Sequence, residues 1–386
     1  MAIKFGLVYE ICRPEPFDGF LSEAETYWQA LEQCVLADEL GFDHVWEVEH
    51  HFLEGYSISS APEVFLSAVA QQTKRIRVGN GVRLLPPPFN HPARSAEMAA
   101  VLDIMSHGRY DFGVGRSITE AELGGFGVDP AHSRPMLDEV LPEIVRMWTE
   151  NPYPGFDGTY FSMPARPVLP KPLQDPHPPI WMACTQPASF DLAADFGIGV
   201  LAFGVGAPGN VVESLKRYKQ RIKNPTRQVG GFVNDAVAPA TVMYCAEDER
   251  EALEMGGVAA LWYGAQTAKL FAPWMGKDVE GYRYYTELVH DPEFLAQFQV
   301  PFEERLRDEY SLVGTPDKVA QGVQSYVDIG ADQIICLVQA GRIPHERIMH
   351  SLRLFGTEVI PRFRPPRDAR VTEDRWSAPS RSTASA

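Results

Sequence analysis

The feature that most constrains this chain is a rhythm, in which short apolar runs alternate with amphipathic helical patterns along its whole length. Strand-like runs lie at residues 3–9 (IKFGLVY), 44–48, 76–82, 109–114, 179–184, 199–203, 240–245 and 332–338. Helical patterns cover 24–40, 62–73, 92–105, 133–149, 187–196, 209–222 and 316–329, and a last helix is expected over 344–359. Gly41 marks a stop after the first helix. Strand, crossover helix and strand in succession imply parallel pairing with right-handed connections. Eight such strands favour a closed (β/α)8 TIM barrel. The alternative is an open doubly wound sheet. Against it, the first strand–helix connection, 10–23, is long and lacks a glycine-rich phosphate turn.

Two stretches break the rhythm, one after the fourth strand and one after the seventh. Residues 151–178 are rich in proline, glycine and aromatics and read as an ordered excursion. Residues 246–312 carry Trp262, Tyr263, Phe271, Trp274, Tyr282, Tyr284 and Tyr285. Insertions after barrel strands lie at the C-terminal face, where active sites form. The second is therefore expected to be a substrate lid that also packs as a small helical subdomain. One barrel domain is expected over 1–364. The Arg-, Ser- and Pro-rich tail, 365–386, has little apolar content and is expected to be disordered.

Charge and cysteine usage exclude several classes. A formal net charge of −16 repels phosphate backbones and anionic bilayers, which argues against nucleic-acid or membrane partners. The five cysteines are scattered, with no C-x-x-C pair, and read as reduced thiols of a cytoplasmic protein. The opening MAIKFGLVYE shows no signal-peptide pattern, and no segment is apolar enough to span a bilayer.

Four clusters carry candidate chemistry. In Glu47–Phe52, neighbouring side chains point to opposite faces, so His50 and His51 are not expected to share a metal ion. One imidazole at a barrel mouth suits a general base or a hydrogen-bond donor to a cofactor; the other reading is a histidine satisfied by packing. Gly79-Asn80-Gly81-Val82 permits close approach to a flat ligand, or is a plain loop. After the fourth strand come Arg116 and, at a helix start, Ser133-Arg134. Two guanidinium groups suit a phosphate monoester. Ser133 serves equally well as an N-cap, and Arg116 has many carboxylates to pair with. Thr185 and Ser189 stand near the next helix N-terminus, which attracts phosphate but is also what an ordinary cap looks like. No G-x-S-x-G elbow, P-loop or H-E-x-x-H is present, so hydrolysis has no support.

The order of these clusters resembles the bacterial luciferase family of flavin-dependent monooxygenases. The resemblance runs through Gly41–Trp46, Glu49–Phe52, Val78-Gly79, Leu85-Pro86, His91-Pro92 and Arg94. It continues in Ser106, Gly108-Arg109, Phe112-Gly113, Arg116, Phe126-Gly127, Asp129 and Ser133-Arg134. Beyond residue 204 only the strand–helix rhythm supports it. The resemblance implies reduced FMN as co-substrate at the barrel mouth, delivered by a separate NAD(P)H:flavin reductase. It implies His50 as the catalytic histidine, and Glu49, Asn80, Gly81, Val82, Arg116, Arg134, Thr185 and Ser189 as cofactor-binding residues. Among these, Gly81-Val82 falls where the family has a non-proline cis peptide. It further implies a homodimer, and oxygenation of a small apolar or aromatic substrate through a C4a-(hydro)peroxyflavin. One departure stands out: Gly115 occupies the place of luciferase's reactive cysteine, so light emission is not expected. The alternatives are a deazaflavin (coenzyme F420-type) oxidoreductase that transfers hydride, and a non-catalytic flavin-binding protein.

Overall fold

In the computed structural model the eight strands close on one another. The structure describes residues 2–204, 211–288, 290–292, 296, 304 and 310–364. The strands are β1 (Lys4–Tyr9), β2 (His44–Glu47), β3 (Arg77–Asn80), β4 (Tyr110–Gly115), β5 (Ile180–Cys184), β6 (Gly199–Phe203), β7 (Val237–Cys245) and β8 (Gln333–Leu337). Each pairs in parallel with the next: Gly6 lies opposite His44, Val45 opposite Val78, and Val78 opposite Tyr110. Closure comes from β8, which pairs with β7 through Ala240 and Ile335 and with β1 through Gly6 and Ile335. The open-sheet alternative is thereby excluded.

Local chemistry explains the connections. The helix α1 (Glu23–Leu40) opens with a reciprocal cap: Ser22 Oγ accepts from the Glu25 amide at 3.2 Å, and the Ser22 amide donates to the Glu25 carboxylate at 2.8 Å. It ends at Gly41, whose φ of 90° suits a residue without Cβ. The helices α2 (Pro62–Gln72) and α3 (Pro92–Met105) follow β2 and the β3 region. The helix α4 (Pro130–Thr149) begins three residues before the sequence reading placed it, because the Asp129 carboxylate caps the Ala131 amide at 2.9 Å. Ser133 is therefore not the N-cap. It sits one turn inside the helix.

The N-terminal part of the barrel interior is filled by aromatic and ionic groups. His44 stacks on Trp46 with ring centroids 5.5 Å apart, and Trp181 meets Trp46 edge-on at 5.3 Å. Asp111 accepts from Trp181 Nε1 at 3.0 Å and from Arg77 Nε at 2.5 Å. Burial works against its charge, but Arg77 and His44 hold the carboxyl well below the usual range. Gly113 lets β3 and β4 approach: a Cβ there would fall 2.0 Å from the Asn80 carbonyl oxygen.

Both insertions carry structure of their own. In the first, residues 153–157 and 162–166 form an antiparallel hairpin. In the second, residues 249–252 lead through a wide turn into the helix α5 (Val258–Phe271), followed by a short helical segment at 283–288. A short strand at 312–314 then pairs beside β7. Part of the helix expected over 209–222 and the whole tail 365–386 lie outside the described residues. Among the described residues no helix is long and apolar enough to cross a membrane.

Gly113→Ala tests the strand contact. The added methyl meets backbone that cannot swing away, so the substitution should destabilise by about 3 kcal/mol. Gly124→Ala, where nothing lies within 4 Å of the new Cβ, should change stability by less than about 1 kcal/mol. Urea unfolding of both variants checks the contrast.

Candidate active site

The C-terminal ends of the strands surround a cavity, partly open to solvent, roofed by the second insertion. Its charged centre is His50, three residues beyond β2. The imidazole Nδ1 lies 2.8 Å from Glu122 Oε1, and Nε2 lies 3.5 Å from Glu10 Oε2. Glu122 is positioned by the hydroxyls of Ser117 (2.7 Å) and Thr119 (2.6 Å) and by the His51 amide (3.0 Å). Thr119 in turn caps the short helix carrying Glu122, its hydroxyl accepting from the Glu122 amide at 3.2 Å. Glu10 follows β1 directly, and its Oε1 accepts from Tyr56 and Tyr263, each at 3.0 Å.

This arrangement fixes charge states. Burial opposes the imidazolium, but the charge and hydrogen bond of Glu122, with Glu10 and Glu49 behind, push the His50 pKa up to about 9. Glu122 is likewise buried. Its contacts with His50, Thr119 and Ser117 outweigh burial and hold its carboxyl below the usual range. Glu10 goes the other way, raised by burial despite His50 and the two tyrosines.

A second wall is cationic. Arg116 is buried, with Nη1 donating to Ser133 Oγ at 2.8 Å and Nη2 to the Gly281 carbonyl at 2.6 Å. Arg134 reaches Ser189 Oγ at 3.4 Å. Among the described residues neither guanidinium forms an ion pair, and burial together with the Arg116 charge lowers the Arg134 pKa. Beside them opens the N-terminus of the helix Pro187–Phe196, whose cap residue Gln186 makes no side-chain capping bond. A buried and a half-buried guanidinium, neither in an ion pair among the described residues, beside a helix start without a side-chain cap, fit a phosphate monoester.

The insertion latches onto this wall. Tyr282 donates to the Ser117 carbonyl at 3.0 Å, and its ring stacks under the Arg116 guanidinium at 4.3 Å. Tyr285 bonds the Thr185 hydroxyl, and Gln186 Nε2 donates to the Gly281 carbonyl at 3.2 Å. Phe271, Trp274, Tyr282 and Tyr285 pack with Leu123 and Val128, so the aromatic cluster forms a core of its own and roofs the cavity.

A model of the luciferase-like monooxygenase family matches residues 10–333. The chain belongs to this family. It is 26% identical over 345 residues to the oxygenase component of a flavin-dependent trigonelline monooxygenase from Acinetobacter baylyi, covering 89% of this chain and 91% of that one. The monooxygenase RslO1 from Streptomyces bottropensis superposes with a TM-score of 0.74 at 29% identity, over 94% of this chain and all of that one. The oxygenating constituent of 3,6-diketocamphane monooxygenase from Pseudomonas putida, in complex with FMN, gives 0.72 at 21%, over 95% of this chain and all of that one. Coenzyme F420-dependent enzymes share the fold at TM-scores of 0.64 and 0.66.

Within this luciferase-like barrel, His50, Glu49, Gly81, Val82, Arg116, Arg134, Thr185 and Ser189 all line the one cavity. The two histidines diverge as alternation requires, His51 Nε2 turning to Glu49 at 3.3 Å. The Glu49 carboxylate is already taken by the Leu84 amide (2.9 Å) and the Asn90 side chain (2.7 Å). Asn80 does not reach the cavity. Gly79 and Gly81 face Trp46, so Asn80 between them points to the opposite side, where it accepts from Tyr110. The cis peptide expected at Gly81-Val82 is absent, since the four cis bonds of the described residues all precede proline. Here the Gly81 amide donates to Glu47 O at 2.7 Å and Val82 O accepts from the Glu49 amide at 3.1 Å, continuing the ladder with β2. At Gly115 a Cβ would fall 2.4 Å from Val82 Cγ2, so Val82 fills the space that a side chain there would need. Sequence reading missed Glu10, Tyr56, Glu122 and Tyr263. Two of them carried a signal, Glu10 at a strand's C-terminal end and Glu122 three residues after Thr119 in a capping pattern.

Because the folded His50 pKa lies above the usual value near 6.5, its stabilisation is complete below that pH and is lost as pH rises through 9. The stability advantage of the parent over His50→Gln should therefore shrink by about 3 kcal/mol between pH 6 and pH 10. Denaturant unfolding across that range checks it, and a constant difference would contradict the charge assignment.

Proposed function

We propose that this protein is the oxygenase component of a two-component flavin monooxygenase, binding reduced FMN and using dioxygen to oxygenate a small, mainly apolar substrate. The observation that carries the reading is the pair of guanidiniums, buried Arg116 and half-buried Arg134, beside the start of the helix Pro187–Phe196, which lacks a side-chain cap, with His50 lining the same cavity. Arg116, Arg134, Thr185 and Ser189 hold the phosphate. Gly81 and Val82 border the flat ring system, and Asn80 supports that segment from behind. Reduced FMN, when bound, supplies the electrons that activate dioxygen.

The chain's own residues do the rest. His50 keeps a proton at Nε2 at neutral pH because Glu122 holds the other ring nitrogen, so it serves as a hydrogen-bond donor and acid facing the cavity. Glu49 orders the 84–90 loop beside it. Leu270 and Phe271 of α5 line the roof and keep water from the reacting centre. The flavin reaches the site from a separate NAD(P)H:flavin reductase, in keeping with the two-component relative. Trp28, Val64 and Val101, exposed on the adjoining helices α1, α2 and α3, offer an apolar face to a second copy in a homodimer. The five cysteines are buried thiols, in keeping with a cytoplasmic setting.

Each charge-assisted phosphate contact is worth roughly 1.5–3 kcal/mol. Arg116→Ala and Arg134→Ala should each weaken anaerobic binding of reduced FMN by about 10- to 100-fold. Addition of oxygen to the parent complex should consume dioxygen with less peroxide released than from free reduced FMN. Unaltered FMN affinity in both variants, or tighter binding of a reduced deazaflavin without oxygen uptake, would remove the FMN reading.

A further inference from the structure

The cavity holds an ion pair, His50 and Glu10, whose 3.5 Å separation is longer than an ordinary hydrogen bond. Glu122 occupies His50 Nδ1, which leaves the Nε2–H as the ring's remaining donor, and its nearest acceptor, Glu10 Oε2, lies at 3.5 Å. Glu10 Oε2 is buried and takes no hydrogen bond among the described residues, although Oε1 of the same carboxyl takes two, from Tyr56 and Tyr263. Both residues line the cavity. A buried acceptor left without a donor costs free energy that a fitting ligand recovers.

What fits is set by the two atoms. A carbonyl, ether or quaternary ammonium group cannot serve both: the first two only accept, and the last neither donates nor accepts a conventional hydrogen bond. A hydroxyl does both, accepting from His50 Nε2–H and donating to Glu10 Oε2. The surroundings define the remainder of the molecule. Tyr56 and Tyr263 stack with centroids 5.8 Å apart at this end of the cavity. Leu270, Phe271 and Leu337 supply apolar surface around it.

We infer that the substrate of this enzyme is a hydroxylated aromatic molecule whose hydroxyl bridges His50 and Glu10, with its ring against the apolar roof. The inference rests on the oxygenase reading for the word substrate, while the binding geometry itself stands on the cavity alone. Glu10 is thereby a specificity-determining residue, and Tyr263 ties its orientation to the insertion: helix α5 carries Tyr263, Leu270 and Phe271 at spacings of seven and eight, on one face. Tyr56 secures the same oxygen from the barrel side.

The test is direct binding, by calorimetry at neutral pH without flavin, of 2-naphthol, 2-methoxynaphthalene and naphthalene as probes. The parent protein should bind 2-naphthol at least about tenfold more tightly than the methyl ether, which cannot donate. In Glu10→Leu that preference should fall to within about twofold, and in the isosteric Glu10→Gln it should fall to an intermediate value. Circular dichroism melts show which variants are folded, so either one suffices. Equal affinity for naphthol and its ether in the parent, a preference unchanged in a folded Glu10 variant, or no binding of any probe would overturn the inference. Reduced FMN is titrated separately into the parent. Failure there strikes the flavin reading, whereas the naphthol comparison strikes the hydroxyl subsite.

Discussion

Burying an imidazolium and its counter-charges is costly unless every partner is held in place, and the mouth of this barrel is organised around meeting that condition. His50 comes from just beyond β2, Glu10 from the end of β1 and Glu122 from the short helix after β4. Their side chains converge within 2.8 and 3.5 Å of the ring. Ser117 and Thr119 fix Glu122, while Tyr56 and Tyr263 fix Glu10. Three separate chain segments and one insertion are thus committed to a single ring. A change in any one partner alters the balance between burial, which disfavours the charge, and the carboxylates, which favour it.

The cationic wall shows the complementary arrangement. Arg116 and Arg134 bond to neutral acceptors, the Ser133 and Ser189 hydroxyls and the Gly281 carbonyl, and their charges oppose one another. An anion between them relieves that opposition. The same contacts draw the insertion down, because Gly281, Tyr282 and Tyr285 bond to residues of the wall itself. The proposed phosphate site and the packing of the roof therefore draw on the same groups.

Much of the architecture was legible because periodicity reports burial directly. All eight strand patterns became barrel strands, and the reciprocal cap and glycine stop of α1 follow from local sequence alone. Short pairings such as residues 83–84 and 312–314 were not legible, since two or three residues carry no period. At the site, resemblance led to His50, Arg116, Arg134, Thr185 and Ser189, which the fold does gather into one cavity. Asn80 was included because it adjoins Gly81, but strand alternation turns it away. Glu10 and Tyr263 meet across 253 positions. No local pattern announces such a contact, which exists only once the barrel has closed and α5 lies over it.

The account stands or falls on the charge of one ring. In protein carrying 15N-labelled histidine, the His50 imidazole can be assigned by comparison with His50→Gln and titrated by NMR. The account predicts a midpoint at about 9, with the proton retained at neutral pH. A midpoint at or below the ordinary value near 6.5 would mean that burial outweighs both carboxylates, and that the cavity faces its ligand with a neutral histidine.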